Sequence, residues 1–240
     1  MGTAVERMLE AASDFSLVYR CDSLLEPDPG PPRVAADLRG LSKGEVAGII
    51  DFSTPEGTKE AIVAACRLGC ALVSGTTGLD TATRETMREA SQQVPICWAP
   101  NFSTGVPILM QALGETARRL PEGWQIEIVE LHHDAKVDAP SGTALRLAET
   151  WKGIKGGRLV YGREGRVGPR DPGEIGLHAV RLGDVVGEHR VLLGGLGEVI
   201  EFTHRVRDRS AFAWGVLEAM RRLLHQRPGL YGWEELLCRP

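Results

Sequence analysis

The sequence predicts an α/β protein of two domains, and three observations carry that prediction. Between residues 15 and 103, short apolar runs bounded by glycine, proline or serine alternate with amphipathic stretches of helical spacing. That is the pattern of a doubly wound parallel sheet covered on both faces. From residue 104 the chain changes to long helices and alternating strands with glycine boundaries, which predicts an α+β domain. A last amphipathic stretch, SAFAWGVLEAMRRLLHQ, predicts a helix that returns to the first domain. The expected division is 1–103 with 213–240, and 104–212.

Taken in order, Val5, Met8, Leu9 and Ala12 follow helical spacing, so residues 3–12 read as an amphipathic helix that begins almost at the first residue. The apolar run 15–21 reads as a strand and LLEPDPGPPR as a loop. EVAGIIDFS is a strand, TPEGTKEAIVAACRLG a helix stopped by Gly69, and CALVSGTTG a strand ending in a Gly/Thr loop. TATRETMREASQQ is helical and VPICWAPNFS a strand and loop. The opening helix is the exception, because no strand precedes it for it to pack on. The first strand of a doubly wound sheet is central and pairs on both sides, so the expectation is a sheet lacking its first strand. The simplest source is a sequence beginning at an internal methionine, with about 15 residues of strand and turn upstream. In the second part, STGVPILMQALGETARRL and SGTALRLAETWKG read as helices around the strand WQIEIVELHH. After the loop YGREGRVGPRDPGEIG, the runs LHAVRLG, EHRVLLGG and EVIEFTHRV read as antiparallel strands.

With 28 Lys+Arg against 32 Asp+Glu the net charge is −4, which excludes a basic nucleic-acid or anionic-membrane binder. No apolar run approaches the roughly 20 residues of a spanning helix and the first residues lack signal-peptide order, so the expected location is the cytoplasm. The five cysteines, Cys21, Cys66, Cys70, Cys97 and Cys238, are odd in number and scattered, and no disulfide framework is expected.

The densest chemistry lies in residues 130–143, ELHHDAKVDAPSGT. His132 and His133 end a strand and point in roughly opposite directions, so at most one faces a given pocket. Lys136 follows at loop distance. Ser141, Gly142 and Thr143 stand where a helix begins, and free N–H groups with hydroxyls beside them form a place for a carboxylate or phosphate. The same pattern also fits a plain helix cap with solvated histidines, and the residues alone leave both open. A metal site is disfavoured, since no spaced partner ligand lies nearby.

The run ELHHDAKVDAPSGTA resembles the signature of the 4-hydroxy-tetrahydrodipicolinate (dihydrodipicolinate) reductases of the diaminopimelate and lysine pathway. IDFSTPEGT, SGTTG, APNFSTGV and VGEHRVLLGGLGEVIEFTHRVRDRSAFAWG match that family in the same order, so the resemblance spans nearly the whole chain. It implies a Rossmann-like first domain and a second domain that binds substrate and joins subunits into a homotetramer. It also implies hydride transfer from a nicotinamide cofactor to a small dicarboxylate. By that resemblance His132 is the general acid, with Lys136 holding charge at the reacting face. His133, Ser141, Gly142, Thr143 and Thr77 bind substrate, while Gly75, Thr76, Thr77, Ala99, Pro100, Asn101 and Phe102 meet the nicotinamide end of the cofactor. Met1 and Gly2 match the last two positions of the family's Gly-rich loop, which places Met1 at the cofactor. Asp22 ends the second strand, where a carboxylate accepts from the adenosine ribose, and its neighbour is Ser23 rather than arginine. NADH is therefore expected over NADPH, with Arg20 the residue that could still admit NADPH. Two rival readings are another nicotinamide-dependent amino- or imino-acid oxidoreductase, and a remnant without cofactor that serves as a binding or assembly module.

Overall fold

The structure, a computed structural model, describes residues 1–22 and 25–238. The chain divides into two compact units, Met1–Thr104 with Ser210–Pro240, and Gly105–Arg209. The first part of the first unit runs α1 (Gly2–Ala11), β1 (Tyr19–Cys21), β2 (Arg33–Ala35), β3 (Gly48–Asp51), α2 (Pro55–Leu68), β4 (Ala71–Ser74), α3 (Thr81–Ala90) and β5 (Pro95–Trp98). The second unit holds α4 (Gly105–Arg119), β6 (Gln125–His132), α5 (Gly142–Lys155), β7 (Arg158–Tyr161), β8 (Glu174–Arg181), β9 (Gly187–Gly195) and β10 (Glu198–Val206). The chain then returns through α6 (Ser210–Leu223), β11 (Gly229–Tyr231) and α7 (Trp233–Cys238). The return begins at Ser210, three residues ahead of the expected 213, because α6 takes in the first residues of the SAFAWG segment.

Local chemistry accounts for the helix ends in the first unit. Thr54 Oγ1 accepts from Gly57 N, and Gly69 stops α2 in the left-handed conformation. Asp80 caps α3 through Thr83 N at 2.7 Å. The strands β11, β5, β4 and β3 form a parallel sheet in that order. Alternation along them sends Val73 and Cys97 into a core with Val5, Val216 and Met220, and sends Leu72 and Ile96 into a second core with Ile62 and Met87. Helices thus cover both faces. Strands β1 and β2 form a separate parallel pair, and among the described residues no strand joins that pair to β3. The strand expected over 15–21 is confined to Tyr19–Cys21.

In the second unit the sheet order is β10-β9-β6-β8-β7. It is mixed, which corrects the expectation of antiparallel strands: β8 runs parallel to both β6 and β7, and only β9 and β10 alternate in direction. The cause is connection length. The loop 162–173 between β7 and β8 is long enough for a parallel crossover, the chain from β8 to β9 passes across β6, and only β9 to β10 is a tight turn between paired strands. Ile126 and Ile128, Ile175 and Leu177, and Val191 and Leu193 share the face that packs with Leu109, Leu113, Leu147 and Trp151 of α4 and α5. By the same alternation Glu127 lies on the opposite face, where Arg163, Arg170 and His178 pair with it. Hydrogen bonds from Arg163, His178 and Arg170 outweigh the burial that opposes ionisation and hold its carboxyl down at about 2. No described helix is long and apolar enough to cross a membrane.

Candidate active site

The helix-covered face of the second sheet turns polar one row beyond its apolar layers. Register places Glu130 on β6 opposite His189 on β9, His189 opposite His204 on β10, and His132 opposite Arg181 on β8. Side chains two residues apart share a face, so Glu130 and His132 continue the row begun by Ile126 and Ile128. Helix α5 starts beside this row, with Ser141 as its N-cap: Ser141 Oγ accepts from Ala144 N at 3.2 Å and lies 3.0 Å from His189 Nε2.

Glu130 is the centre of the cluster. It is fully buried, and its carboxylate accepts four hydrogen bonds. Oε2 takes His132 Nδ1 at 2.5 Å and Arg181 Nη1 at 2.9 Å; Oε1 takes Arg181 Nη2 at 2.9 Å and Ser141 N at 3.0 Å. Burial opposes the charge, yet the bonds from Arg181, His132 and Ser141 outweigh it and hold the carboxyl below its ordinary range. An ionised carboxylate only accepts, so the proton on the shared edge belongs to His132 Nδ1. His132 Nε2 is then the nitrogen left to exchange a proton. It faces Gly187, where a Cβ would come within 3.2 Å of Nε2, so glycine keeps that approach open.

The loop from β6 to α5 carries the remaining polar groups. Lys136 Nζ donates to Asp138 Oδ1 at 2.7 Å. Arg181 Nη2 also donates to Asp138 O at 2.6 Å, tying this loop to β8. Gly142 is exposed with open space where a Cβ would stand, and Thr143 is half-buried. The groups this helix start leaves for an anion would be the amides of Gly142 and Thr143 with the Ser141 and Thr143 hydroxyls, the Ser141 amide being committed to Glu130 and that of Ala144 to Ser141 Oγ.

His189 supplies a pH dependence. Burial lowers its pKa to about 4, with His132 pushing the same way, Glu130 opposing, and His204 and Lys136 adding to the lowering. The unfolded chain takes up a proton near pH 6.5 that the folded chain refuses until about pH 4. Stability is accordingly full above about pH 6.5 and falls as pH drops toward 4, by about 2 kcal/mol between pH 7 and pH 5. Urea unfolding at those two pH values should show this difference, and His189→Gln should remove most of it while leaving the contribution of the carboxylates.

In the first unit two loops leave the carboxyl ends of neighbouring parallel strands. After β4, Gly75 N donates to Asp51 O at 2.9 Å, and the Phe52 ring lies where a Gly75 Cβ would be, at 2.0 Å, so only glycine fits. Thr76 is buried, its hydroxyl donates to Asp51 Oδ2 at 3.0 Å, and its carbonyl accepts from Trp98 Nε1 at 3.0 Å. Asp51 also accepts from the hydroxyls of Ser53, Thr58 and Ser74, so Thr76 serves to shape the loop and Thr77 is its exposed hydroxyl. After β5, Ala99 and Phe102 are buried while Pro100 and Asn101 are exposed. The Phe102 ring is a core side chain, its centroid 6.1 Å from those of both the Phe52 and Trp233 rings, and it anchors this loop to the unit. Asp22 is exposed just beyond β1, Met1 caps α1, and Ser23 lies outside the described residues.

Family models described as dihydrodipicolinate reductase match residues 1–102 with the N-terminal part and 105–237 with the C-terminal part. The chain belongs to the dihydrodipicolinate reductase family. It is 47% identical over 193 residues to the 4-hydroxy-tetrahydrodipicolinate reductase of Paraburkholderia phymatum, covering 79% of this chain and 73% of that one. With the enzyme of the same name from Rubrobacter xylanophilus it is 44% identical over 227 residues, covering 88% and 85%. A solved structure of dipicolinate-bound dihydrodipicolinate reductase from Paenisporosarcina sp. TG-14 superposes with a TM-score of 0.79 at 24% identity, covering 96% of this chain and 92% of that one, which establishes a shared fold.

Within this dihydrodipicolinate reductase fold, His132, Lys136, Ser141, Gly142 and Thr143 come from one strand end, one loop and one helix start in the second unit. His133 follows β6, half-buried. Gly75, Thr76, Thr77, Ala99, Pro100, Asn101, Asp22 and Met1 belong to the first unit. Sequence reasoning assigned no role to Glu130, Arg181 or His189. Glu130 carried a signal, since it is a carboxylate in phase with Ile126 and Ile128 on an apolar strand face. Arg181 and His189 carried none before strand register was known.

Proposed function

We propose that this chain catalyses the reduction of 4-hydroxy-tetrahydrodipicolinate to tetrahydrodipicolinate with loss of water, a step of diaminopimelate and lysine biosynthesis in the cytoplasm. The observation that carries this reading is the buried Glu130–His132 pair set beside a helix-start anion cradle, in a chain closely similar to reductases of that name. The substrate is a dicarboxylate. One carboxylate meets Lys136, the Gly142 and Thr143 amides and the Ser141 and Thr143 hydroxyls, a preorganised set of donors that need not reorganise as charge develops. His133 adds a further substrate contact in the second unit. Glu130 holds one proton on His132 Nδ1, and a second proton taken up at Nε2 is the one His132 delivers to the carbon that becomes electron-rich, leaving the neutral ring.

The first unit fits a reduced nicotinamide nucleotide, which supplies the hydride when bound. Its loops leave the carboxyl ends of parallel strands, where open α/β sheets bind dinucleotides. Gly75, Thr76 and Thr77 with Ala99, Pro100, Asn101 and Phe102 would form the nicotinamide side, Thr77, Pro100 and Asn101 presenting the exposed groups. Asp22 would accept from the ribose, and the start of α1 at Met1 would face the pyrophosphate.

NADH is the cofactor this reading favours, because Asp22 repels a 2′-phosphate. Substrate-dependent oxidation followed by absorbance should show a higher kcat/KM for NADH, and Asp22→Ala with Ser23→Arg should move preference toward NADPH by about tenfold or more. An NADH titration comes first: no binding would favour the remnant reading, and binding without oxidation of this substrate would favour another imino-acid oxidoreductase. The homotetramer belongs to the same proposal, formed through the open face of the second sheet, where Val180 and Val199 are exposed. Light scattering tests it.

A further inference from the structure

Ser141 is placed in the anion cradle, but a hydroxyl beside an anion helps only if its hydrogen points outward, and nothing on Ser141 itself ensures that. The row behind it does. Ser141 Oγ already accepts the Ala144 amide, which leaves one lone pair and one hydrogen to be divided between His189 and whatever lies in front. His189 is 5% exposed, its Nε2 stands 3.0 Å from Ser141 Oγ, and its Nδ1 has no hydrogen-bond partner among the described residues.

We propose that His189 is a positioning residue whose Nε2–H donates to Ser141 Oγ, turning the Ser141 O–H into a dedicated donor to a carboxylate oxygen of the substrate. Two arguments decide the direction. In the opposite arrangement Ser141 would donate to Nε2, the proton would sit on Nδ1, and a buried N–H would stand with no acceptor, the rarest kind of unsatisfied group. That arrangement would also turn the hydroxyl's lone pairs toward an anion. The imidazole is held neutral by its surroundings, wedged between His132 at 5.2 Å and His204 at 6.5 Å between ring centroids, so the ring carries a single N–H across the neutral range. The row His204–His189–Ser141 thus converts strand register on β9 and β10 into hydroxyl polarity at the start of α5.

This inference rests on the dicarboxylate reading above, and its test separates the two. Long-range ¹H–¹⁵N spectra of the labelled 240-residue chain at pH 7 report the His189 tautomer directly, with no variant and no substrate needed. The Nε2–H form is expected, and the Nδ1–H form would overturn the proposal. Calorimetric titration with pyridine-2,6-dicarboxylate then measures the consequence. His189→Leu should weaken binding about tenfold or more, as for loss of one hydrogen bond to a charged group, with NADH affinity unchanged. His189→Gln, which can keep an N–H near the Nε2 position, should stay within about threefold of the parent. His189→Leu added to Ser141→Ala should cost little beyond Ser141→Ala alone. A leucine variant that binds like the parent, or additive losses, would overturn the role of His189. Failure of the parent to bind the dicarboxylate would instead sink the functional reading, with the tautomer still deciding the hydroxyl's polarity.

Discussion

His132→Gln is expected to lower turnover by about 10²–10⁴, the range for removal of one general acid, while leaving NADH affinity within about twofold. The physical ground is a single exchangeable nitrogen. Nδ1 is committed to the ionised Glu130, so His132 Nε2 is the atom through which this side chain gives or takes a proton. Glutamine fills much of the same space and can still donate to Glu130, so the fold should persist and the loss should appear in kcat rather than in dicarboxylate affinity. Steady-state kinetics with calorimetric binding of NADH separates these quantities. Turnover within a few-fold of the parent would remove His132 from the role and make His133 the next candidate.

What the sequence disclosed divides along a physical line. Elements whose cause is local were legible: α2 carries its own cap in Thr54 and its own stop in Gly69, and β6 carries its alternation. Elements that exist because a partner accepts them were not. Strands β2, β7 and β11 are three or four residues long, and ladder pairing with β1, β8 and β5 defines them more than any period of their own. The direction of β8 was misread for the same reason, since alternation reports which face is buried and says nothing of parallel or antiparallel pairing. The site follows the same division. The contiguous run from His132 to Thr143 could be read directly, whereas Arg181 and His189 reach Glu130 and Ser141 only through register. Thr76 and Phe102 belong to segments recognised as loops, and only packing shows that one supports Asp51 and the other the core.

Glu130→Gln should be nearly as damaging as loss of His132, and through a different route. The glutamate accepts four donors on two oxygens, and glutamine offers one oxygen and one NH₂ in the same shape. Whichever way the amide is placed, an NH₂ group faces donors. If it faces His132 and Arg181, His132 must accept at Nδ1 and so cannot carry protons on both nitrogens, as delivery of a proton from Nε2 requires. If it faces Ser141 and Arg181, the start of α5 loses its anchor. Turnover should therefore fall about 10²-fold or more, and stability by about 2 kcal/mol, since the partly buried Arg181 guanidinium loses its counter-charge. Glu130→Leu combined with Arg181→Met separates these effects, because it removes both charges and lets apolar groups fill the layer. The double variant should melt closer to the parent than Glu130→Leu alone and still lack turnover. A double variant no more stable than Glu130→Leu would mean that the Arg181 charge is not the source of the instability. A glutamine variant with parental turnover would mean that His132 does not depend on Glu130 for its tautomer.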